Sequence, residues 1–144
     1  STRNLSMIKE LGADHVIDYT KADFTSNTNT YDLIYDTVGV RSFKDCSYAL
    51  TDNGLYLSPV LGVPLLCDMM FTSFFGKKKA KFSATGALPV KEIKQLLEIL
   101  LEIIEAGNLK GVIDRSYPLE QITEAHEHVD KGHKKGNVVL KPLL

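Results

Sequence analysis

The residues able to do chemistry are few and scattered, so spacing has to decide among them. His126, His128 and His133 lie close enough in sequence to raise the question of a metal cluster. On a helix, positions i and i+2 point about 200° apart, so His126 and His128 cannot hold one ion, and no metal site is expected. Cys46 and Cys67 stand in apolar surroundings without CxxC spacing. They read as buried thiols in a reducing compartment, cytoplasmic or an organelle matrix. No Ser/His/Asp or Cys/His arrangement is evident, so no catalytic side chain is assigned. What remains is binding chemistry at the ends of apolar runs: Tyr19, the small turn Thr37-Val38-Gly39, and the turn after Ser58-Pro59-Val60.

The elements that must position these residues can be read from periodicity. Leu5, Ile8 and Leu11 give an apolar helical stripe that Gly12 ends, and Val16-Ile17-Asp18-Tyr19 reads as a short strand. Residues 20 to 30 are polar and read as a loop with one helical turn near Ala22 to Thr25. Tyr31 to Asp36 has the continuous apolar centre of a strand buried on both faces. Phe43, Cys46, Ala49 and Leu50 recur at helical spacing, and Thr51-Asp52-Asn53-Gly54 reads as the turn that stops that helix. Leu55 to Val60 and Lys81 to Thr85 read as strands. The Met- and Phe-rich stretch between them, residues 64 to 76, fits no single pattern.

Pro89 opens the longest periodic segment, with Ile93, Leu96, Leu97, Leu100, Leu101, Ile103 and Ile104 forming one broad packing face. Val112 to Asp114 follows, then a helix from Pro118 through Val129 closed by Lys131-Gly132, and a strand at Val138 to Leu140. Strands alternating with helices imply an open, mostly parallel, doubly wound α/β sheet of Rossmann type, with ligands at the carboxyl ends of its strands.

Composition narrows the partners. The 144 residues are 44% hydrophobic and 24% charged with a net charge of -1, which suits a globular domain and recommends neither nucleic acid nor an acidic membrane as a partner. The run Lys77-Lys78-Lys79 lacks interleaved aromatics and reads as a solvated loop. The apolar run from Val60 to Phe75, broken by Gly62, Pro64 and Asp68, falls short of the roughly 20 apolar residues of a spanning helix. No secretory pattern opens the sequence, so none is expected.

Four stretches, in this order and spacing, resemble the cofactor domain of the medium-chain dehydrogenase/reductase superfamily, in its zinc-free quinone and enone reductase branch. They are Leu11-Gly12-Ala13-Asp14 with Val16 to Tyr19; Tyr31 through Gly39; Gly107-Asn108-Leu109-Lys110 with Val112 to Arg115; and Tyr117-Pro118-Leu119-Glu120 through Leu140. The resemblance implies a division into residues 1–111, a partial Rossmann domain, and 112–144, a helix and strand returning toward a substrate domain. Because family members are about twice as long, it also implies that the first strand, its Gly-rich pyrophosphate turn and the substrate domain are not among these residues. In a 3-2-1-4-5-6 sheet that leaves the Tyr31 to Asp36 strand with an unpaired edge, which invites a homo-oligomer.

For the site, the resemblance places Ser1, Arg3 and Asn4 after the strand that reads the adenosine ribose. A guanidinium there can hold a 2'-phosphate bidentately, which implies NADP(H) in preference to NAD(H), and no zinc. Tyr19 matches a tyrosine near the adenosine phosphate, and Thr37, Val38 and Gly39 match the turn passing the adenine-ribose side. Leu61 and Gly62 follow the strand whose end approaches the nicotinamide, and Asn137 matches a position on the returning strand. The function implied is the cofactor-binding portion of an NADPH-dependent quinone or enone reductase or alcohol dehydrogenase-like enzyme, acting on a small carbonyl-conjugated substrate. The alternative is a catalytically silent piece or interaction domain. A methyltransferase-like reading of Asp18 and Asp36 leaves the C-terminal helix and strand unexplained.

Overall fold

The computed structural model describes residues 2–84 and 87–142. A 3-10 turn, Thr2–Asn4, leads into α1 (Leu5–Glu10), which ends at Gly12 with a φ of +103°. That left-handed conformation favours glycine, as the sequence predicts. The chain forms two compact units, one of Ser1–Leu5 with His15–Ile93 and the other of Ser6–Asp14 with Lys94–Leu144.

The first unit is built on a three-stranded parallel sheet. Its strands β1 (Tyr31–Tyr35), β2 (Leu50–Ser58) and β3 (Lys79–Phe82) lie in the order β1-β2-β3. Connections run through α2 (Phe43–Cys46) and α3 (Val63–Phe74), the crossover arrangement that parallel neighbours require. Ser42 and Asp45 form a reciprocal capping box that starts α2. Buried Cys46, Leu50, Tyr56, Leu65 and Ala80 make the core, with Phe24, Ile34, Phe43, Met69 and Phe82 packed against it.

The second unit pairs β4 (Ile113–Pro118) with β5 (Asn137–Lys141) in parallel through α5 (Ile122–Asp130). Most of α4 (Val90–Glu105) also belongs to it, and Gly107 at φ +74° ends that helix. Gly136 has a reason of its own, since a Cβ there would lie 2.5 Å from the Val112 carbonyl oxygen.

The parallel α/β architecture agrees with the sequence reading; several local expectations do not. Val16 to Tyr19 is not a strand. The Asp18 carbonyl accepts from the amides of Lys21 and Ala22, so this segment closes a turn. Thr51 to Gly54 does not stop a helix but lies inside β2, where the register jumps from Tyr31 opposite Leu50 to Leu33 opposite Leu55. The turn-forming residues are thus used as a bulge. β1 is not buried on both faces, because it is an edge strand, with Leu33 54% exposed. Cys67 is exposed on α3, unlike Cys46. No residue of α4 is buried, so its predicted packing face is uncovered. The unplaced Met- and Phe-rich stretch is α3, and the helical turn near Ala22 is the 3-10 turn Phe24–Ser26. Thr85, the expected end of the third strand, lies outside the described residues, as does Ser1.

Candidate functional site

Asp36 follows β1 directly and winds the next five residues around its carboxylate. Oδ1 accepts from the amides of Val38 (3.1 Å) and Gly39 (2.8 Å), and Oδ2 from that of Arg41 (2.9 Å). Burial pushes the Asp36 pKa up, but these amide donors and the Tyr56 hydroxyl outweigh it and hold the carboxyl below the usual carboxylate range. The Tyr56 hydroxyl lies 2.5 Å from the Arg41 carbonyl oxygen and 3.2 Å from Asp36. Burial and the Asp36 charge drive the tyrosine pKa well up, so it stays a neutral donor. Burial, with Asp36 and Asp45 nearby, pushes the Cys46 thiol to about 11, which makes it a poor nucleophile.

The wound turn rests on the chain leaving β2. Gly39 has a φ of +74°, and a Cβ there would lie 2.9 Å from Cβ of Val60. Two requirements, left-handed backbone and close approach, fall on one residue. Beyond Val60, Gly62 caps the start of α3 without a side-chain hydrogen bond, and Pro64 stands in the first turn. The outcome is a cleft of about 310 Å³ whose lining includes Gly39, Arg41, Phe43, Ser58, Gly62 and Asp68. Its position, at the carboxyl ends of β1 and β2, is where open α/β sheets take ligands, and its volume lies at the lower end of ligand sites.

The structure thus brings Gly39 and Gly62 together in one cleft. Thr37 lines a smaller neighbouring cavity with Asp36 and Arg41, and Val38 and Leu61 are exposed beside these turns. A second grouping forms elsewhere in the first unit. The Thr2 hydroxyl donates to Asp18 Oδ2 at 2.5 Å, and the amide and hydroxyl of Thr20 donate to Oδ1 at 3.2 and 2.8 Å. These bonds hold the Asp18 carboxyl low and bring the segment bearing Arg3 and Asn4 to the one bearing Tyr19. Arg3 is exposed and Tyr19 is 71% exposed, so both are free to meet a ligand, but neither lines the cleft. Asn137 lies in the second unit, where its amide donates to the Val112 carbonyl at 2.7 Å.

Arg41, Ser58 and Asp68 are cleft residues that the sequence reading missed. For Asp68 the available signal was its spacing of four from Pro64, legible only once residues 63 to 74 are known to be helical. Among the described residues no group of three or more His, Cys, Asp or Glu could hold a metal ion. His128 instead pairs with Asp114 at 2.7 Å. No helix among them is long and apolar enough to cross a membrane.

Comparison with known proteins bears on this geometry. A family model described as zinc-binding dehydrogenase matches residues 11–140. The chain is 29% identical over 143 residues to a chloroplastic quinone-oxidoreductase homolog of Spinacia oleracea, covering 97% of this chain and 43% of the relative. It is 25% identical over 145 residues to an NADPH-dependent alkenal/one oxidoreductase of Arabidopsis thaliana, covering 99% of this chain and 32% of that one. Among solved structures, the quinone oxidoreductase from Coxiella burnetii superposes with a TM-score of 0.71 at 25% identity, over 98% of this chain and 43% of its own. A quinone oxidoreductase of Pseudomonas syringae gives a TM-score of 0.74 at 21% identity, over 99% of this chain and 47% of its own, a likeness of fold alone. The chain therefore spans less than half the length of these relatives.

Proposed function

Since this chain belongs to the zinc-binding dehydrogenase family, we propose that it is the cofactor-binding portion of an NADPH-dependent oxidoreductase acting on a small carbonyl-conjugated substrate, a quinone or an enone. The observation that supports this most is the cleft joining the Gly39 and Gly62 turns at the strand ends. Small residues at both turns let a ligand approach the backbone closely, and the cleft has room for part of a dinucleotide. A reduced nicotinamide, when bound, supplies a hydride. The chain's own residues in the first unit bind and orient: Leu61 and Gly62 the nicotinamide end, and Thr37, Val38 and Gly39 the adenine-ribose side. Arg3, with Ser1, Asn4 and Tyr19, takes the adenosine end and prefers a 2'-phosphate, so the cofactor is NADP(H) and no zinc takes part. Groups that polarise the substrate belong to other parts of the enzyme, and a cytoplasmic setting belongs to the same reading.

Titration of the chain with NADPH and NADH, followed by nicotinamide fluorescence, tests this. Saturable binding is expected, tighter for NADPH by about tenfold, the value of one charge-assisted contact. Arg3→Asp should reverse the preference. No saturation at millimolar cofactor would sink the reading, and an unchanged preference in Arg3→Asp would sink its 2'-phosphate part.

A second reading, an interaction or oligomerisation domain, draws on the open edge of β1 and on α4, in which no residue is buried. Under it the chain self-associates through these surfaces and neither cofactor binds. Sedimentation velocity during the same titration separates the two.

A further inference from the structure

Two carboxyl groups line the cleft, Asp45 and Asp68, and a third, Asp36, holds the turn that forms one wall; two of the three are already used by the fold. Asp36 is taken up by the amides of its turn and Tyr56, and Asp45 by the amide and hydroxyl of Ser42, at 2.9 and 2.7 Å. Both are held below the usual carboxylate range. The guanidinium of Arg41 is likewise directed to Asp23 at 3.2 Å. Asp68 is different. It sits four residues after Pro64 and three after Leu65, so the three share the face of α3 that lines the cleft. Its side chain is half-buried, and none of the ion pairs among the described residues includes it. Burial alone acts on its acidity, pushing the pKa up, with no neighbouring charge or donor opposing it. A carboxyl in a cleft with its acceptor oxygens unspent is available to a ligand.

We infer that Asp68 sets the redox-state preference of the cleft, favouring the oxidised, positively charged form of a nicotinamide ring over the reduced, neutral one. The inference rests on the cofactor reading above, with the ring at Leu61 and Gly62. The two redox forms differ by one unit of charge at the ring, while their phosphates and riboses are the same, so an unpaired carboxylate discriminates between them by charge. Even at the dielectric of water, a carboxylate about 4 Å from a unit positive charge is worth about fivefold in affinity. With a reduced nicotinamide bound, the Asp68 carboxylate would likewise favour the positive charge that loss of a hydride leaves on the ring. Asp68 is therefore a specificity-determining residue that acts through charge, in a cleft where Asp45 and Arg41 are committed elsewhere.

Isothermal titration of the chain with NADP+ and NADPH separately, at one pH near neutrality, gives the ratio of the two affinities. Asp68→Asn, which keeps the shape and removes the charge, should weaken NADP+ about fivefold and leave NADPH within about twofold. Asp68→Glu should retain the wild-type ratio. Asp68→Ser is a second neutral variant, and whichever neutral variant melts as wild type is used. Binding of both forms with an unaltered ratio in the neutral variant would overturn the inference and leave the cofactor reading standing. Loss of both affinities in equal measure would also overturn it, because that is the effect of a structural residue. Failure of the wild-type chain to bind either form would remove the cofactor reading, and this inference with it.

Discussion

The three-stranded unit and the two-stranded unit cover their own apolar surface to very different degrees. In the first, Cys46, Ala49, Leu50 and Tyr56 are at most 2% exposed, and the sheet meets α2 and α3 over a shared core. In the second, Ala125 is the one buried apolar residue among those described. Its largest apolar resource, the α4 stripe, stays open, with Leu96, Leu97 and Leu101 each more than half exposed. The stripe was legible in the sequence because helical periodicity is a local property. Whether a stripe is covered depends on what stands opposite, which the helix's own residues do not specify. The first unit therefore owes its stability to burial, and the second relies on the β4–β5 ladder and on polar contacts such as His128 with Asp114.

The largest effect should come from the side chain most fully enclosed. Leu50→Ala deletes the largest fully buried side chain and should cost about 3 kcal/mol in urea unfolding. Val139→Ala, at a half-buried position on β5, should cost about 1 kcal/mol. Equal costs at the two positions would break the contrast between the units.

A loss smaller than that at Leu50 is expected at the candidate site, whose order comes from hydrogen bonds to one charged group. Asp36→Ala leaves the amides of Val38, Gly39 and Arg41 without their acceptor and should cost about 2 kcal/mol, because these groups can turn partly to water. The same variant should weaken NADPH binding in the fluorescence titration, since the Gly39 turn forms one wall of the cleft. Full retention of stability would show that the contact of Gly39 with Val60 is enough to hold the turn.

How much of this was readable beforehand depended on the range of the interaction concerned. Gly12, Gly107 and Gly132 end helices at positive φ, and the pattern from Pro89 marks α4 to within a residue, because both are set by neighbours in sequence. Thr51 to Gly54 misled because turn-forming residues also suit a bulge, and the choice is made by the partner strand at Tyr31 and Leu33. Val16 to Tyr19 misled in the opposite direction. An apolar pair followed by Asp reads as a strand end, but Asp18 spends its carboxylate on Thr2 and Thr20 and closes a turn. At the site, Gly39 and Gly62 could be named from their places after apolar runs. Asp68 could not, since its role depends on α3 being a helix and on other residues having satisfied Asp36, Asp45 and Arg41.

The smallest and most selective effect should appear in the second unit as a dependence on pH. Asp114 Oδ2 lies 2.7 Å from Nε2 of His128. That contact first, and the amide of Lys135 after it, hold the Asp114 carboxyl below its ordinary value of 3.8. A carboxyl lowered by folding binds fewer protons in the folded chain than in the unfolded one. Its contribution is therefore fully present above the unfolded pKa and is lost as pH falls through the lower, folded value. Asp114→Asn should reduce the protection of β4 and β5 amides against hydrogen exchange at pH 6. The gap between variant and wild type should close as the pH is taken below about 4. Protection of β1 to β3 should be the same in both proteins at every pH. A gap that persists unchanged into strong acid would mean that Asp114 supports its ladder by shape alone, and one that spreads to β1 to β3 would mean that the two units do not unfold separately.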